Sequence, residues 1–321
     1  MQVHRDLDRL PTFRRPVVTI GSFDGVHVGH RELLAGIRAR AAAIGGESVL
    51  VTFDPHPRHV VGGAGPPLRL LTTTEEKIDR LAALGLDHVV VVAFTEAFAA
   101  QSAEAYLRDF LFGRFGPHTV VIGYDHRYGK RRAGNIELLR QLAPDYGAAV
   151  DEIPARDVDR LAVSSTRIRR ALAEGRAAEA ARLLGDPFRL TGRVVHGDAI
   201  GRTIGFPTAN LDLAHPYKLV PADGVYAVRA TLLDADDGPD IAPLTDHPAM
   251  LYVGQRPSLA GMRPRTIEVN VIDYAGDLYG RRLRVALVAR VRADQTFAGL
   301  PELRAQIERD RAATLTTLAA A

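Results

Sequence analysis

The run from Gly21 to His30 carries the strongest chemical pattern in the chain. It reads Gly-Ser-Phe-Asp-Gly-Val-His-Val-Gly-His and directly follows a short β-branched segment. Glycines permit a tight turn and a close approach to a ligand, and a helix starting here would present free N–H groups and a positive dipole end. His27 and His30 are three residues apart, so both can donate hydrogen bonds to one anion. The pattern predicts a phosphate site, although two histidines can also fall in an ordinary turn.

A metal site is an alternative for the same region. His56 and His59 repeat the three-residue spacing beside Asp24 and Asp54, and such residues can ligate transition metals. Prolines on both sides of His56 indicate loop geometry instead, and the histidine-rich set fits phosphate equally well. The chain has no cysteine, which excludes thiolate-bound zinc, iron–sulfur clusters and cysteine nucleophiles.

A second phosphate-like element is Ser164-Ser-Thr-Arg-Ile-Arg169. We expect this segment to open a helix, where its hydroxyl groups would cap the helix. Two hydroxyls followed by two arginines can also cradle a polyphosphate. The two interpretations are compatible.

The second half of the chain contains a further set of candidates. Glycines are frequent from Gly192 to Asn210, and there Thr208 and Asn210 offer hard oxygen ligands suited to Mg²⁺ held by a nucleotide phosphate. An ordinary turn explains the same residues. Glu268 lies in an otherwise apolar strand, where alternation places it on one face with Thr266 and Asn270. That face is either exposed to solvent or retained for chemistry.

The periodicity of the chain predicts the elements that position these residues. From residue 16 to about 153, short apolar strands alternate with helical segments, which indicates a parallel sheet covered on both faces. After Gly185-Asp-Pro187, strand-like segments follow one another, which predicts a small antiparallel barrel or sandwich, closed by a helix over Pro301–Leu318. We therefore predict domains at 1–185 and 186–321. The predicted elements are strands at 17–20, 48–53, 88–94, 119–123, 148–153, 188–195, 224–232, 248–253, 266–274 and 283–291, and helices at 32–44, 75–84, 103–112, 136–146, 165–173 and 177–184.

Composition and charge exclude several classes of protein. The 321 residues include 41 Lys and Arg against 38 Asp and Glu, a formal net charge of +3. Divided at residue 185, neither part carries the basic excess expected of a nucleic-acid-binding domain. The N-terminus lacks the apolar run of a signal peptide, and no apolar stretch is long enough to span a bilayer. The sequence predicts a cytoplasmic protein without nucleic-acid or membrane partners, and leaves the oligomeric state open.

The motifs of the first half, taken in order, resemble a known family. Gly21 to His30, then Thr52-Phe-Asp-Pro-His-Pro57, Gly123-Tyr-Asp-His-Arg-Tyr-Gly129 with Gly134, and Ser164 to Arg169 are similar to the FMN adenylyltransferase half of prokaryotic bifunctional riboflavin kinase/FAD synthetases. These belong to the wider nucleotidylyltransferase group marked by His-x-Gly-His.

The second half resembles the riboflavin kinase domain of the same family. The motifs are Gly201 to Asn210, Pro221-Ala-Asp-Gly-Val-Tyr226, Arg265-Thr-Ile-Glu-Val269 and Gly276-Asp-Leu-Tyr-Gly280. The resemblance implies an α/β Rossmann-like nucleotidylyltransferase domain, followed by an antiparallel β-barrel kinase domain with a C-terminal helix. It also implies ATP as co-substrate in two reactions, riboflavin to FMN and FMN to FAD plus pyrophosphate, with Mg²⁺ as cofactor.

The resemblance assigns roles to individual residues. Catalysis is assigned to Glu268 in the kinase domain and to His27 and His30 in the adenylyltransferase domain. Metal binding is assigned to Thr208 and Asn210. Nucleotide contacts in the adenylyltransferase domain are Gly21, Ser22, Phe23, Asp24, His27, His30, Asp125, Arg127, Ser165, Thr166 and Arg167; those in the kinase domain are Gly192, Gly197, Arg202, Gly205, Pro207, Thr208 and Asn210.

Several positions depart from the family pattern. Ala162 stands where many relatives carry Arg, and Asn270 where His is frequent; the other departures are His126 for Phe, Asp54 for Glu and Ser258 for Thr. None of them removes a residue assigned to chemistry. Three other functions stay open: an adenylyltransferase whose barrel only binds flavin, a flavin-responsive regulator acting on nucleic acid, and a different nucleotidylyltransferase.

Overall fold

The structure is a computed structural model of the chain. It describes residues 1–62, 65–124, 126–197, 201, 204–213, 215–234, 244–255, 257–258, 261–262 and 265–321. The chain divides into two compact units, Met1–Ser165 and Thr166–Ala321. The division after residue 185 stays a prediction.

The first unit contains a parallel sheet of six strands in the order β1-β4-β3-β2-β5-β6. Hydrophobic β-branched runs form its central strands, since such side chains pack well on a pleated surface. Five of the strands lie where the periodicity predicts them, whereas β1 was not predicted. The strands are β1 (Gln2–His4), β2 (Val17–Ile20), β3 (Ser48–Asp54), β4 (His88–Ala93), β5 (Thr119–Gly123) and β6 (Ala149–Ile153).

Helical segments connect these strands. They are α1 (Val28–Ala43), α2 (Pro57–Val60), α3 (Thr74–Ala82), α4 (Glu96–Ala99), α5 (Ala103–Ala105), α6 (Gly113–Phe115) and α7 (Ile136–Leu142). Helix α8 (Ala155–Ala173) follows β6 and contains the division between the units, and α9 (Ala177–Leu184) belongs to the second unit. A π-helical stretch, Tyr106–Phe112, joins α5 to α6, and 3₁₀ turns lie at Leu7–Arg9, Lys130–Arg132 and Ala143–Tyr146. Separate hydrophobic clusters contain Val18 and Val17, neighbours on β2 that point to opposite faces. The prediction of a sheet covered on both faces is therefore confirmed.

The second unit contains a closed barrel in the order β10-β13-β8-β7-β14-β9, in which the neighbouring strands that pair are antiparallel. Because the sheet is closed, the structure has the predicted barrel and not the alternative sandwich. Its strands are β7 (Phe188–Val195), β8 (Ala209–Asp212), β9 (Gly224–Leu232), β10 (His247–Gly254), β13 (Thr266–Val271) and β14 (Arg282–Ala293); β11 (Pro257–Ser258) and β12 (Gly261–Met262) pair separately, and α10 (Leu300–Ala319) follows β14.

Two segments that carry candidate site residues differ from the sequence prediction. Helix α8 begins at Ala155, well before Ser164, so the expectation that Ser164–Arg169 opens a helix is wrong. Pro154 directly precedes α8, and proline is tolerated at a helix start because its missing N–H would have no intrahelical partner there. The hydroxyls therefore lie in the helix interior rather than at a cap. Of the turn considered for Pro207–Asn210, Ala209 and Asn210 lie in strand β8. Within the described ranges, no helix is both long and apolar enough to cross a membrane.

The stability of the first unit should be most sensitive to side-chain truncation in its buried central strands. Leu50 on β3 is 0% exposed, so Leu50→Ala should lower the free energy of unfolding of this unit by about 2–5 kcal/mol through lost burial and a residual cavity. Val61→Ala is the control, because Val61 is 59% exposed and its truncation should change stability by less than about 0.5 kcal/mol. Hydrogen exchange of the β3 amides measures both; equal effects would contradict the packing.

Candidate functional sites

The turn that follows β2 has an unusual backbone. Phe23, Gly25 and Val26 have φ values of 47°, 87° and 44°, in the left-handed region that non-glycine residues seldom adopt. The buried carboxylate of Asp24 stabilises the turn, because its oxygens accept hydrogen bonds from the backbone N–H groups of Leu71 and Thr72 at 3.0 Å. Asp24, predicted as a nucleotide contact, therefore also shapes the turn.

The two histidines at the start of α1 lie against each other. Their rings stack with centroids 3.6 Å apart. His27 is the N-cap residue, and its Nδ1 accepts a hydrogen bond from the His30 backbone N–H at 3.4 Å. Because Nδ1 is the acceptor, the neutral His27 ring carries its proton on Nε2. That nitrogen lies 2.9 Å from Ser165 Oγ, so the fold brings together two predicted site residues far apart in sequence.

His30 differs from His27 in its surroundings. Within the described part of the chain, its Nδ1 atom is buried and has no hydrogen-bond partner. Burial lowers the pKa of His30 well below 6.5, and the nearby charges of His27 and Lys77 lower it further. The free protein therefore holds a neutral imidazole with an unsatisfied polar atom, an arrangement ready to interact with a ligand.

A cavity of about 620 Å³ lies beside the same turn, with Gly21 and Ser22 in its lining. Aromatic side chains form part of its wall: Phe53, Phe94, Phe98, Tyr106 and Tyr128. Arginines also line it: Arg58, Arg127, Arg131 and Arg132. An aromatic wall with cationic side chains suits a planar ring system that carries a phosphate. Arg127, predicted to contact nucleotide, thus lies in one cavity with Gly21 and Ser22.

Three other residues predicted for the first site have no described contact with this turn. Asp125 lies outside the described residues. Thr166 and Arg167 are exposed and fall in the second unit, where Arg167 Nε donates to Glu179 Oε1 at 3.0 Å. Their predicted phosphate contacts stay predictions.

His56 and His59, the histidines of the alternative metal site, contact backbone atoms of nearby residues. His56 Nδ1 accepts from the Arg58 backbone N–H at 3.1 Å, and His59 Nε2 lies 2.8 Å from the Leu68 carbonyl oxygen. Among residues whose positions are described, no group of three or more His, Asp or Glu side chains is arranged to hold a metal ion. These contacts give the metal alternative no support.

Sequence reasoning missed Lys77 on α3. Its side chain is buried, and Nζ donates to the Ser22 carbonyl oxygen at 3.1 Å and to Thr52 Oγ1 at 2.9 Å. A signal was present, since Lys77, Lys130 and Lys218 are the only lysines in an arginine-rich chain. Lys77 also shares helical spacing with the buried residues Thr74 and Leu81.

In the second unit, Glu268 occupies the wall of the barrel. It lies on β13 directly opposite Asn210 of β8, and it is only 4% exposed. The hydroxyls of Thr208 and Thr266 donate to its Oε2 and Oε1 at 3.1 and 3.3 Å. The alternative of a solvent-exposed face is therefore wrong. The fold holds a buried carboxylate with hydrogen-bond donors on both oxygens.

Glu268 also lines a cavity of about 530 Å³ together with Thr208 and Asn270. Apolar residues of α10 contribute to the same lining: Leu300, Leu303 and Ile307. Arg292 and Asp310, which also line the cavity, form a hydrogen-bonded ion pair at 2.9–3.0 Å between β14 and α10. This cavity combines an apolar wall with a few convergent polar groups, as small-molecule sites do.

The loop that carries Thr208 is held by the barrel. Asn270 Nδ2 donates to the Pro207 carbonyl oxygen at 2.7 Å. Gly197 lies so close to the Asn210 side-chain amide that any Cβ at position 197 would overlap it. The Thr208 hydroxyl contacts the Glu268 carboxylate, and Asn210 pairs with Glu268 across the strands. The Thr208 hydroxyl and the Asn210 side-chain carbonyl are hard oxygen ligands, a donor type that fits Mg²⁺.

Of the other residues predicted to contact nucleotide in the kinase domain, Gly192 lies in a strand and Gly205 in a turn. Gly192 is buried on β7, where a Cβ would meet the Asp212 carbonyl oxygen at 2.6 Å, so its glycine permits close strand packing. Gly205 has a φ of 86°, in the region that favours glycine. Arg202 lies outside the described residues.

The fold and the two sites define a nucleotide-binding α/β unit followed by a barrel with a buried carboxylate site. The FAD synthetase family model matches residues 11–167, and the riboflavin kinase family model matches residues 184–318. The chain therefore belongs to the bifunctional riboflavin kinase/FMN adenylyltransferase family. This membership confirms the predicted family and fold class, and with them the predicted enzyme class.

Individual relatives agree over nearly the whole chain. The bifunctional riboflavin kinase/FMN adenylyltransferase of Escherichia coli (strain K12) is 40% identical over 294 residues, which cover 92% of this chain and 90% of that protein. The Pseudomonas fluorescens protein of the same name is 37% identical over 314 residues, covering 98% and 96%. A crystal structure described as a macrolide-efflux protein from Streptococcus pneumoniae matches with a TM-score of 0.80 at 28% identity, covering 98% of each chain. That description names a different activity from the family models, and the likeness is one of fold.

The environment of His30 predicts its titration. Because the folded protein lowers the pKa of His30 well below 6.5, we expect its ring to stay neutral at pH 6, where an unfolded chain is largely protonated. Its contribution to stability is thus fully present above pH 6.5 and decreases as the pH falls below it. Histidine NMR, with His30→Asn to assign the resonance, measures this titration. A His30 signal that titrates at 6.5 or above would contradict the described environment.

Proposed function

We propose that the second unit transfers the γ-phosphoryl group of ATP to the ribityl 5′-hydroxyl of riboflavin and forms FMN. We further propose that the first unit joins FMN to the adenylyl group of a second ATP, giving FAD and pyrophosphate. The observation that carries the kinase assignment is the buried Glu268 carboxylate, with hydroxyl donors on both oxygens, in a cavity with an apolar wall. The domains assigned to these reactions are 186–321 and 1–185, and the proposed compartment is the cytoplasm.

Glu268 is the proposed catalytic residue of phosphoryl transfer. Its carboxylate can accept the proton of the 5′-hydroxyl, whose oxygen forms the new P–O bond while the bond from the γ-phosphorus to the β–γ bridging oxygen breaks. Thr208 and Thr266 orient the carboxylate through their hydrogen bonds. The apolar side chains of the same cavity, such as Leu303 and Ile307, suit the flavin ring.

Thr208 and Asn210 are the proposed Mg²⁺ ligands in the kinase unit. The Thr208 hydroxyl and the Asn210 carbonyl would hold the ion, and Mg²⁺ when bound offsets negative charge on the nucleotide phosphates. Asn270 supports this arrangement because it donates to the Pro207 carbonyl oxygen and so restrains the residue before Thr208. Gly192, Gly197, Arg202 and Gly205 stay predicted nucleotide contacts.

The first unit requires no strong base, because the FMN phosphate is already ionised. A phosphate oxygen of FMN attacks the α-phosphorus of ATP, and the bond from the α-phosphorus to the α–β bridging oxygen breaks to release pyrophosphate. His27 and His30 are proposed to donate hydrogen bonds to the negative charge that collects there. A bound polyanion raises the pKa of a nearby imidazole, which would strengthen the contact made by His30.

Other residues of the first unit are proposed to hold the two substrates. The aromatic cavity next to Gly21 and Ser22 is proposed to take the flavin ring of FMN. Ser165 contacts His27 and is proposed to lie at the departing phosphates. Thr166 and Arg167, which fall in the second unit, stay predicted phosphate contacts. Asp24 holds the turn. Phe23, Asp24, Asp125 and Arg127 stay predicted nucleotide contacts.

Separate loss of the two activities tests the assignment of the kinase site. Glu268→Gln keeps the size of the side chain but removes the base, so FMN formation from riboflavin and ATP should fall by about 10²–10⁴-fold. The same protein should still convert FMN and ATP to FAD. Chromatography of the flavin products, with Mg²⁺ present, measures both reactions. Undiminished FMN formation by the variant would remove Glu268 from the mechanism, and wild-type protein that makes neither product would refute the proposed function.

The reverse result is expected for the histidines. The double substitution His27→Ala and His30→Ala should lower FAD formation from FMN and ATP by at least about 10²-fold, because two donors to the developing charge are lost. Riboflavin phosphorylation by the same variant should not change, and hydrogen exchange of the β3 amides serves as the control for folding of the first unit. An unchanged rate of FAD synthesis would show that these histidines do not act in the reaction.

A further inference from the structure

Lys77 lies directly behind the turn that carries Gly21 and Ser22. Its Nζ donates to the Ser22 carbonyl oxygen at 3.1 Å and to Thr52 Oγ1 at 2.9 Å, and Thr52 Oγ1 in turn donates to the same Ser22 oxygen at 3.2 Å. Lys77 and Thr52 are buried, at 6% and 0% exposure. Burying an ammonium group is costly unless hydrogen bonds and charges compensate it. Here the Lys77 ammonium contacts the Ser22 carbonyl oxygen directly, and it reaches the same oxygen through Thr52 Oγ1.

These contacts orient the peptide bond between Ser22 and Phe23. In a trans peptide the C=O and N–H groups point in opposite directions. Because the Ser22 carbonyl faces Lys77, the Phe23 N–H faces the other side of the turn, away from the ammonium. Phe23 also has the sparsely populated φ of 47°, so the two donors on the Ser22 oxygen hold a backbone conformation that this residue would otherwise seldom adopt.

Charged groups surround Lys77 from several elements. The carboxylates of Asp24, Asp54 and Glu75 favour its charged form, but burial outweighs them and lowers its pKa to about 8. On α1, the Lys77 charge acts in turn on His30, whose pKa it helps to lower. Lys77 is therefore linked both to the backbone of the turn and to the titration of a proposed catalytic histidine.

We propose that Lys77 is a positioning residue of the adenylyltransferase unit, whose ammonium orients the Ser22–Phe23 peptide so that the turn can receive the nucleotide phosphates. This inference rests on the proposed function of the first unit. Lys77 acts through Ser22 and does not contact substrate.

Lys77→Met tests the proposal, because methionine resembles lysine in length and lacks the charge and the donors. We expect kcat for FAD formation from FMN and ATP to fall by about 10- to 100-fold, as for other small misplacements of a reactive geometry. Riboflavin phosphorylation, measured on the same full-length protein, should keep its wild-type rate, which shows that the second unit is intact. Hydrogen exchange of the β3 amides reports whether the first unit is folded.

Lys218→Met is the matched control. Lys218 is also buried, at 3% exposure, but it lies in the second unit with Nζ 4.5 Å from the centroid of the Phe188 ring. Removing this ammonium should leave FAD formation from FMN unchanged. A similar loss in both variants would indicate a general effect of deleting a buried lysine and would overturn the proposal.

The pH profile distinguishes positioning by a charge from a purely steric role. The Lys77 ammonium loses its proton as the pH rises through about 8, so wild-type kcat/KM for FAD formation should decline across that range. Lys77→Met should lack this decline. In addition, removal of the charge should raise the pKa of His30, which histidine NMR detects whether or not the protein is active.

Thr52→Val decides the case if Lys77→Met does not fold. Valine has the shape of threonine, but it removes one acceptor from Lys77 and one donor from the Ser22 oxygen. We expect a several-fold loss of FAD formation with riboflavin phosphorylation retained. Wild-type rates of FAD formation in folded Lys77→Met, or in Thr52→Val when the first variant is unfolded, overturn the inference. If the wild-type chain makes no FAD from FMN, the proposed function fails, and the shift in His30 titration still tests the contact.

Discussion

Both candidate sites depend on one constraint, which is that a charged group inside a protein must be hydrogen bonded or paired. In the first unit, the Asp24 carboxylate accepts backbone hydrogen bonds from Leu71 and Thr72, and the Lys77 ammonium donates to the Ser22 carbonyl. In the second unit, two threonine hydroxyls donate to the Glu268 carboxylate. Because each of these groups is buried, its partners cannot be exchanged for water at low cost, and the local backbone conformation follows from them.

The two folds supply those partners in different ways. In the first unit, β2 and β3 are parallel neighbours, so the residues at their carboxyl ends come together and α3 can cover them with Lys77. Ligands bind at this end of open α/β sheets for the same reason. In the second unit, closure of the barrel sets Asn210 of β8 opposite Glu268 of β13. Cross-strand register therefore sets Asn210 opposite the carboxylate residue, while Thr208 lies in the loop just before β8 and donates to Glu268.

The sequence predicted most elements because their signals are local. Alternation and helical spacing located the central strands, and the change from alternating helices and strands to consecutive strands indicated the barrel. The errors arose where local signals compete. The hydroxyls of Ser164–Arg169 resemble a cap, yet helix α8 extends back to Ala155, directly after Pro154. Residues 207–210 resemble a turn, yet Ala209 and Asn210 lie in β8 because the adjacent strands offer hydrogen-bond partners.

By itself, the sequence determined the family, the fold class and the residue types available for chemistry, since these follow from motifs, periodicity and composition. Only the tertiary structure decided which of those residues meet. It brought Ser165 to His27, buried Glu268 where alternation allowed an exposed face, and placed Lys77 behind Ser22. Such contacts join residues far apart in the chain, and burial depends on what other elements cover. Neither property is encoded in the spacing of neighbouring residues.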